Sequence, residues 1–116
     1  MLFACDVVRI AQELQQRGRI ASELSIQLVN AAVNAASNLE EADDGSSPRD
    51  FRAKERISLR ELKESRLRLR ILRQTGYLKE KDDTVIQESV ELVRIVATII
   101  RNSQQNELHA RKEPGT

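Results

Sequence analysis

Apolar residues recur every three or four positions through most of the chain, and this spacing places them on one face of an α-helix. In the first segment, four of them follow one another at steps of four, three and four: Phe3, Val7, Ile10 and Leu14. Only 4 Gly and 2 Pro interrupt the 116 residues, which is too few for the many turns of a sandwich or barrel. The spacing therefore predicts an all-α protein built from long helices.

A second helix is predicted downstream, and its apolar stripe is made largely of alanine. The stripe runs from Leu24 to Ala42, and its small side chains allow a neighbouring helix to approach closely. Residues 43–48 read DDGSSP, a composition typical of a loop. Ser47 is expected to cap the helix that follows, because Pro48 suits the first helical position.

The third helix is predicted to end near Gln74, since Gly76 can adopt the left-handed conformation that commonly follows a helix. Two parallel apolar stripes then define a fourth helix, one starting at Val85 and the other at Ile86. Such a wide apolar face has two interpretations. It fits an extra partner beyond the chain, or simply the most buried helix of a monomer.

Four amphipathic helices joined by short connections predict an up-down-up-down antiparallel four-helix bundle. Apolar residues make up 40% of the chain, which is enough for the core of one domain of this size. We expect residues 1–104 to form that single domain and residues 105–116 to form a polar, flexible tail.

One stripe of the third helix mixes ionisable with apolar residues. It carries, at steps of three and four, Lys54, Ile57, Glu61, Glu64, Arg68 and Ile71. Since buried charges are costly unless they are paired, a buried stripe would require a paired network of its four ionisable residues, Lys54, Glu61, Glu64 and Arg68. The other interpretation is a solvated charged face.

The third helix also holds most of the positive charge. Residues 49–81 contain 12 Lys and Arg against 5 Asp and Glu, whereas residues 1–48 contain 3 against 7. The basic residues outside the mixed stripe are predicted to lie on an outer face: Arg49, Arg52, Arg56, Arg60, Lys63, Arg66, Arg70 and Arg73. Such a face would bind nucleic acid in a salt-dependent way, unless these residues meet the acids of helix two or of another subunit.

Few residues suit catalysis or metal binding. His109, the only histidine, lies in the predicted tail, and the Glu61 and Glu64 pair lacks the histidines of helical di-iron sites. We therefore expect no enzyme, no metal and no cofactor. The most apolar stretch, 90–100, is too short and too charged to cross a bilayer, and the single Cys5 cannot form an intramolecular disulfide. We expect a cytoplasmic protein that does not contact membranes.

Three motifs in the second and third helices resemble those of a known bacterial family. They are Asn-x-x-Glu-Ala at 38–42, Asp-Phe-x-x-Lys at 50–54 and Glu-x-x-Glu-Ser at 61–65. The family is that of the four-helix-bundle proteins first noted as open reading frames in intervening sequences of large-subunit ribosomal RNA genes. Its relatives include the accessory variability determinant of diversity-generating retroelements.

The resemblance implies a bundle that assembles into a homopentameric barrel. It also implies a structural polar network at the positions that are polar in the family, which are here Asn38, Glu41, Lys54, Glu61 and Glu64. The retroelement relatives bind nucleic acid and a reverse transcriptase through basic surfaces. The expected partners are therefore further copies of the chain, RNA or DNA, and a nucleic-acid-processing protein.

These observations favour a non-enzymatic homo-oligomeric scaffold that binds RNA or DNA through the basic face of helix three. With only 3% aromatic residues, the chain lacks a stacking platform for specific single-stranded recognition. The alternative is an oligomeric protein–protein interaction module without a nucleic-acid role, in which the same basic residues serve interfaces.

Overall fold

The computed structural model describes residues 1–44 and 47–112, and most of these residues are helical. Four α-helices follow one another: α1 (Leu2–Leu14), α2 (Arg19–Asp43), α3 (Pro48–Gln74) and α4 (Asp83–Lys112). A short 3₁₀ turn, Glu80–Asp82, precedes α4. No strand occurs in the described residues, and the predicted all-α class is confirmed.

Consecutive helices run antiparallel, as contacts between α2 and α3 show. Lys54, near the start of α3, contacts Glu41 near the end of α2. Arg68, farther along α3, contacts Gln27 near the start of α2. α3 and α4 are related in the same way, so the helices form the predicted four-helix bundle, which measures 63 × 22 × 19 Å.

The core is mainly aliphatic, with Phe3 as its one fully buried aromatic residue among the described residues, and it draws on all four helices. The apolar stripe predicted for α1 is buried at each of its four positions. α4 contributes from both of its stripes, since Val96 belongs to one and Val93 and Ile100 belong to the other, and all three are buried. Most other positions of the two stripes, Val85 and Ile86 among them, are only half-buried, so the wide apolar face of α4 is partly used inside the chain and an extra partner stays a prediction.

α2 and α3 pack closely because small side chains line their contact. Ala32 and Ala35 of α2 and Ser58 of α3 are fully buried. The Ser58 hydroxyl donates a hydrogen bond to the Ala35 carbonyl oxygen at 2.9 Å, which satisfies this buried polar group. The alanine-rich stripe thus sets the position of α3, the helix that carries most of the positive charge.

The start of α3 agrees with the sequence prediction. Ser47 is the N-cap, and its Oγ accepts a hydrogen bond from the Asp50 amide at 3.2 Å, with Pro48 in the first turn. Residues 45 and 46 of the predicted loop lie outside the described residues.

The end of α3 also agrees with the prediction. Gly76 has φ +88°, a left-handed conformation in which side chains other than glycine are strained. The amides of Tyr77 and Leu78 donate to the Leu72 carbonyl oxygen at 3.0 and 3.1 Å, which turns the chain back over the last turn of α3.

α4 is longer than predicted. Residues 105–112 continue the helix where a polar tail was expected, and residues 113–116 of that tail lie outside the described part of the chain. The added turns are helical because Glu107 pairs with Arg52 of α3 and with Arg111 one turn later. α1, with 13 residues against 30 in α4, is too short to reach this end of the bundle.

Candidate nucleic-acid interface

Five basic side chains of α3 are exposed on one side of the helix. They are Arg49, Arg56, Arg60, Lys63 and Arg70, and we call them the basic row. Their separations of three, four and seven residues keep them on the side of α3 opposite its buried stripe. From Arg49 to Arg70 the row extends over about 32 Å of helix. These five side chains lie where the sequence predicted them.

Most of the basic row has no acidic partner. Arg60 alone has a carboxylate nearby, that of Glu61 at 3.8 Å, whereas the other four have none within 4.0 Å in the part of the chain that the structure describes. The acids of α2 do not neutralise the row within one chain, because Glu41 contacts Lys54 on a different side of α3. The positive charge of the row therefore faces solvent.

Arg66 and Arg73, also predicted for this face, are half-buried. Arg73 Nε lies 2.8 Å from Asp83 Oδ1 at the start of α4. The hydrogen bond and the charge of Asp83 raise the pKa of the Arg73 guanidinium. Arg73 thus joins α3 to α4 and is less free to bind a phosphate than the basic row.

Arg52 does not lie on the outer face, which corrects the prediction. Its side chain is buried, forms an ion pair with Glu107 and donates a hydrogen bond to Ser103 Oγ at 3.3 Å. The physical reason is the length of α4, whose last turns cover this position of α3. Arg52 belongs to the contact between α3 and α4 and not to the basic row.

The mixed stripe of α3 forms separate contacts in place of one network. Lys54 Nζ lies 2.7 Å from Glu41 Oε2, and the two side chains are 40% and 52% exposed. Lys54 therefore pairs with α2, and not with Glu61, whose carboxylate is near Arg60. Two turns separate Lys54 from Glu61 along α3, whereas Glu41 is directly across the contact with α2.

The two remaining polar positions make local contacts. Glu64 Oε2 lies 3.7 Å from Arg68 one turn later, and Asn38 Nδ2 donates to the Asn34 carbonyl oxygen at 2.8 Å. Within a single chain, this side of α3 is thus a partly solvated face with short-range pairs.

A cleft of about 520 Å³ between the start of α3 and the end of α4 was missed from the sequence. We call it the end cleft, and it is lined by Arg49, Arg52, Arg56, Gln104, Glu107, Leu108 and Arg111. Most of the α4 side was missed because Glu107, Leu108 and Arg111 fall in the segment that the sequence predicts as a tail. The four-residue spacing of Glu107 and Arg111, typical of a helical ion pair, is the signal that indicates a continuing helix.

Glu55 is a second feature that the sequence did not reveal. Its side chain is buried, and its Oε2 accepts no hydrogen bond from the described residues. Burial and, to a lesser degree, the charge of Asp43 raise the pKa of the Glu55 carboxyl. Glu55 is one turn after Arg52, so this buried carboxyl lies close to the end of the bundle that α1 does not reach.

The described residues contain neither a cluster of metal-binding side chains nor a membrane-spanning helix. Across residues 1–44 and 47–112, no three His, Cys, Asp or Glu side chains are grouped so that they could hold a metal ion. None of the helices in these ranges is both long and apolar enough to span a membrane.

Known proteins provide an independent comparison. The sequence profile described as 23S rRNA-intervening sequence protein matches residues 1–98. The fold is similar to the crystal structure of a protein with unknown function from the S23 ribosomal protein family of Bacteroides thetaiotaomicron, with a TM-score of 0.77. That similarity has 26% sequence identity and covers 84% of this chain and 91% of that chain. No curated protein matches the sequence.

Proposed function

The chain belongs to the 23S rRNA-intervening sequence protein family, the family that its motifs resemble, and on this basis we propose that it is a non-enzymatic scaffold for RNA or DNA. The observation that carries the proposal is the basic row, in which four of the five exposed cations have no carboxylate within 4.0 Å among the described residues. Exposed cations without acidic partners keep their full attraction for phosphate groups.

The basic row favours recognition of the sugar-phosphate backbone over recognition of bases. Its cations are spread over about 32 Å of helix, a length suited to several successive phosphates. Aromatic side chains do not accompany the row, because Phe3 is buried and Phe51 and Tyr77 are half-buried elsewhere. We therefore expect binding to structured RNA and duplex DNA with little sequence preference.

We propose in addition that copies of the chain assemble, as the homopentamer that the family resemblance implies. Exposed aliphatic side chains support this proposal. Val8 and Val33 line one groove between α1 and α2, and Leu67 and Ile71 are exposed on α3. Burying such side chains between copies of the chain is favourable, and repetition of the basic row around a ring would raise its avidity.

The experiment that tests nucleic-acid binding is fluorescence anisotropy with labelled structured RNA and duplex DNA at low and physiological salt, with the mass of the protein measured in parallel. We expect affinity to fall steeply with salt, with a slope of log K against log salt of about −4 for duplex DNA if most of the basic row contacts phosphate. The charge-reversal variant replaces Arg60, Lys63 and Arg70 with Glu. Losing three phosphate contacts should reduce the slope by about 3.

A control variant with the same change in charge separates the basic row from the net charge of the protein. It replaces three exposed arginines of α2 and α4 with Glu: Arg19, Arg94 and Arg101. If both variants lose affinity equally, the basic row is not the binding surface. Absence of binding at low salt would contradict nucleic-acid binding altogether.

The second candidate function is an oligomeric protein–protein interaction module. The observation in its favour is the set of exposed aliphatic side chains, which includes Ile26 of α2 at 52% exposure. A protein that assembles in solution but binds neither RNA nor DNA at low salt would support this function.

A further inference from the structure

The end cleft concentrates positive charge around one carboxylate. Four arginines line it: Arg49, Arg52 and Arg56 on the α3 side and Arg111 on the α4 side. The only acid among the residues that line it, Glu107, is shared by two of the four guanidiniums, those of Arg52 and Arg111. Four cations and one anion leave a net charge of +3 in a cleft of about 520 Å³.

Two of the four guanidiniums are free to bind an anion. In the described residues, neither Arg49 nor Arg56 has a carboxylate within 4.0 Å, and both side chains are exposed. They are two helical turns apart on the same side of α3, so they are about 10 Å apart along the helix axis. That spacing allows them to approach one ligand from opposite sides.

Arg52, which lies between these two arginines in the sequence of α3, is held in place by its contacts with α4. Arg52 is 10% exposed and is bonded to both Glu107 and Ser103, so its guanidinium has little freedom to move. Its positive charge therefore attracts anions into the cleft from a fixed position. Because the side chain is already ordered, it loses no conformational entropy when a ligand binds. Gln104 adds a neutral amide donor on the α4 side.

The shape and charge of the end cleft differ from those of the basic row. The row is an extended series of separate cations, which matches the single charges of successive phosphodiesters. The cleft is concave and carries a net charge of +3, which matches a phosphomonoester with a charge of about −1.5 to −2 and three free oxygens. Arginine binds such groups through two parallel hydrogen bonds.

We propose that the end cleft binds the terminal phosphate of a nucleic acid strand whose backbone lies along the basic row. This inference rests on the proposed function and adds to it the recognition of one end of the nucleic acid strand. Arg49 and Arg56 belong to both surfaces, so a strand on the row leads directly into the cleft. Arg49 and Arg56 then approach the terminal phosphate from α3, and Arg111, held 3.1 Å from Glu107, approaches it from α4.

The test compares three RNA hairpins of one sequence, labelled in the loop, with hydroxyl groups at both ends, with a 5′-phosphate or with a 3′-phosphate. The readout is the ratio of the affinity of a phosphorylated hairpin to that of the hydroxyl hairpin. We expect one phosphorylated hairpin to bind about fivefold more tightly at low salt, the effect of roughly one added charge pair near the surface.

Arg111→Gln should bring this ratio to about one, because Arg111 lies in the cleft and outside the basic row. Any general loss of affinity cancels in the ratio. The matched control is Arg94→Gln, an exposed arginine on the same helix outside the cleft, which should leave the ratio unchanged. A ratio of about five that Arg111→Gln abolishes and Arg94→Gln keeps would support the proposal.

Three results would overturn it. Equal affinities for the three hairpins would contradict a terminal-phosphate site, but they would still be consistent with the proposed nucleic-acid binding. A fivefold ratio that persists in both Arg111→Gln and Arg56→Gln would place the recognised phosphate elsewhere. Failure of all three hairpins to bind at low salt would contradict the proposed function itself, and with it the inference that rests on it.

Discussion

Arg52 of α3 and Glu107 of α4 form an ion pair whose side chains differ in exposure, at 10% and 29%. Glu107 also lies 3.1 Å from the Arg111 guanidinium, whereas Glu107 is the only carboxylate within 4.0 Å of Arg52 in the described ranges. Arg52 therefore has a single acidic partner, whereas Glu107 has two basic partners. The pair joins α3 to the last turns of α4, beyond the reach of α1.

Replacing Glu107 with Ala should destabilise the protein, because it leaves the buried Arg52 guanidinium without a carboxylate. We expect the free energy of unfolding to fall by about 2–3 kcal/mol in a urea titration. Glu23→Ala is the control, since Glu23 pairs with Arg19 in an exposed contact. That change should cost less than about 1 kcal/mol. Equal losses in the two variants would contradict a structural role for Glu107.

Truncation after Gln104 tests whether the domain ends there, as the sequence predicted. It removes Glu107 and the turns of α4 that cover Arg52, so we expect a loss of about 2–3 kcal/mol in the free energy of unfolding. Truncation after Lys112 is the control, because it removes only residues 113–116. If both truncated proteins unfold at the same urea concentration as the full chain, residues 105–112 do not stabilise the domain.

The end of α4 shows where the sequence is least informative. α1 could be predicted from Phe3, Val7 and Leu14 because burial imposes a visible apolar period. The last turns of α4 have no such period, since Leu108 is exposed and the segment is otherwise mostly polar. They are held through Glu107 by a residue of α3 that is distant in sequence, and apolar spacing along one segment cannot show a contact of that kind.

Glu55→Gln should stabilise the protein, and increasingly so as the pH rises. Burial and then the charge of Asp43 raise the pKa of the Glu55 carboxyl above its ordinary value of 4.5, so the folded state holds a proton that the unfolded state releases. Below pH 4.5 the ionisation of Glu55 does not affect the free energy of unfolding. As the pH rises from 4.5 through the raised pKa of the folded state, the free energy of unfolding falls. Because glutamine has no charge to desolvate, the variant should avoid this fall.

Urea titrations of both proteins between pH 4 and pH 8 measure the effect. We expect the variant to match the natural protein near pH 4 and to exceed it by about 1 kcal/mol at neutral pH. The control is Glu40→Gln, which removes an exposed carboxylate from α2 and should change stability little at any pH. A Glu55 variant that is less stable at neutral pH would show that the carboxylate has a partner in solution.

The candidate site could be predicted in part, for a reason that its residues make clear. The exposure of Arg60, Lys63 and Arg70 follows from their angular position on α3, which helical spacing determines. Arg52 has a similar angular position but is covered by the extended α4, and local spacing does not encode that. Glu55 is likewise one glutamate among many in the sequence, and only the packed helices reveal its burial.

The contact between Lys54 and Glu41 connects two positions of the polar network that the family resemblance implies. Its energy reports whether copies of the chain cover this side of α3. With side chains 40% and 52% exposed, the pair is that of a solvated surface, so Lys54→Ala should cost about 0–1 kcal/mol in a dissociated chain. In an assembled protein whose interface buries the stripe, the same change strands a buried carboxylate and should cost about 3 kcal/mol.

Unfolding of this variant and the natural protein at matched low and high concentrations therefore measures burial of the stripe by assembly. We expect the difference between the two proteins to grow with concentration, since we propose that the chain assembles. Lys81→Ala is the control, because Lys81 pairs with Glu13 where both side chains are about two-thirds exposed. A difference that is small for Lys54→Ala at both concentrations would leave this side of α3 solvated and would place any interface between copies on another surface.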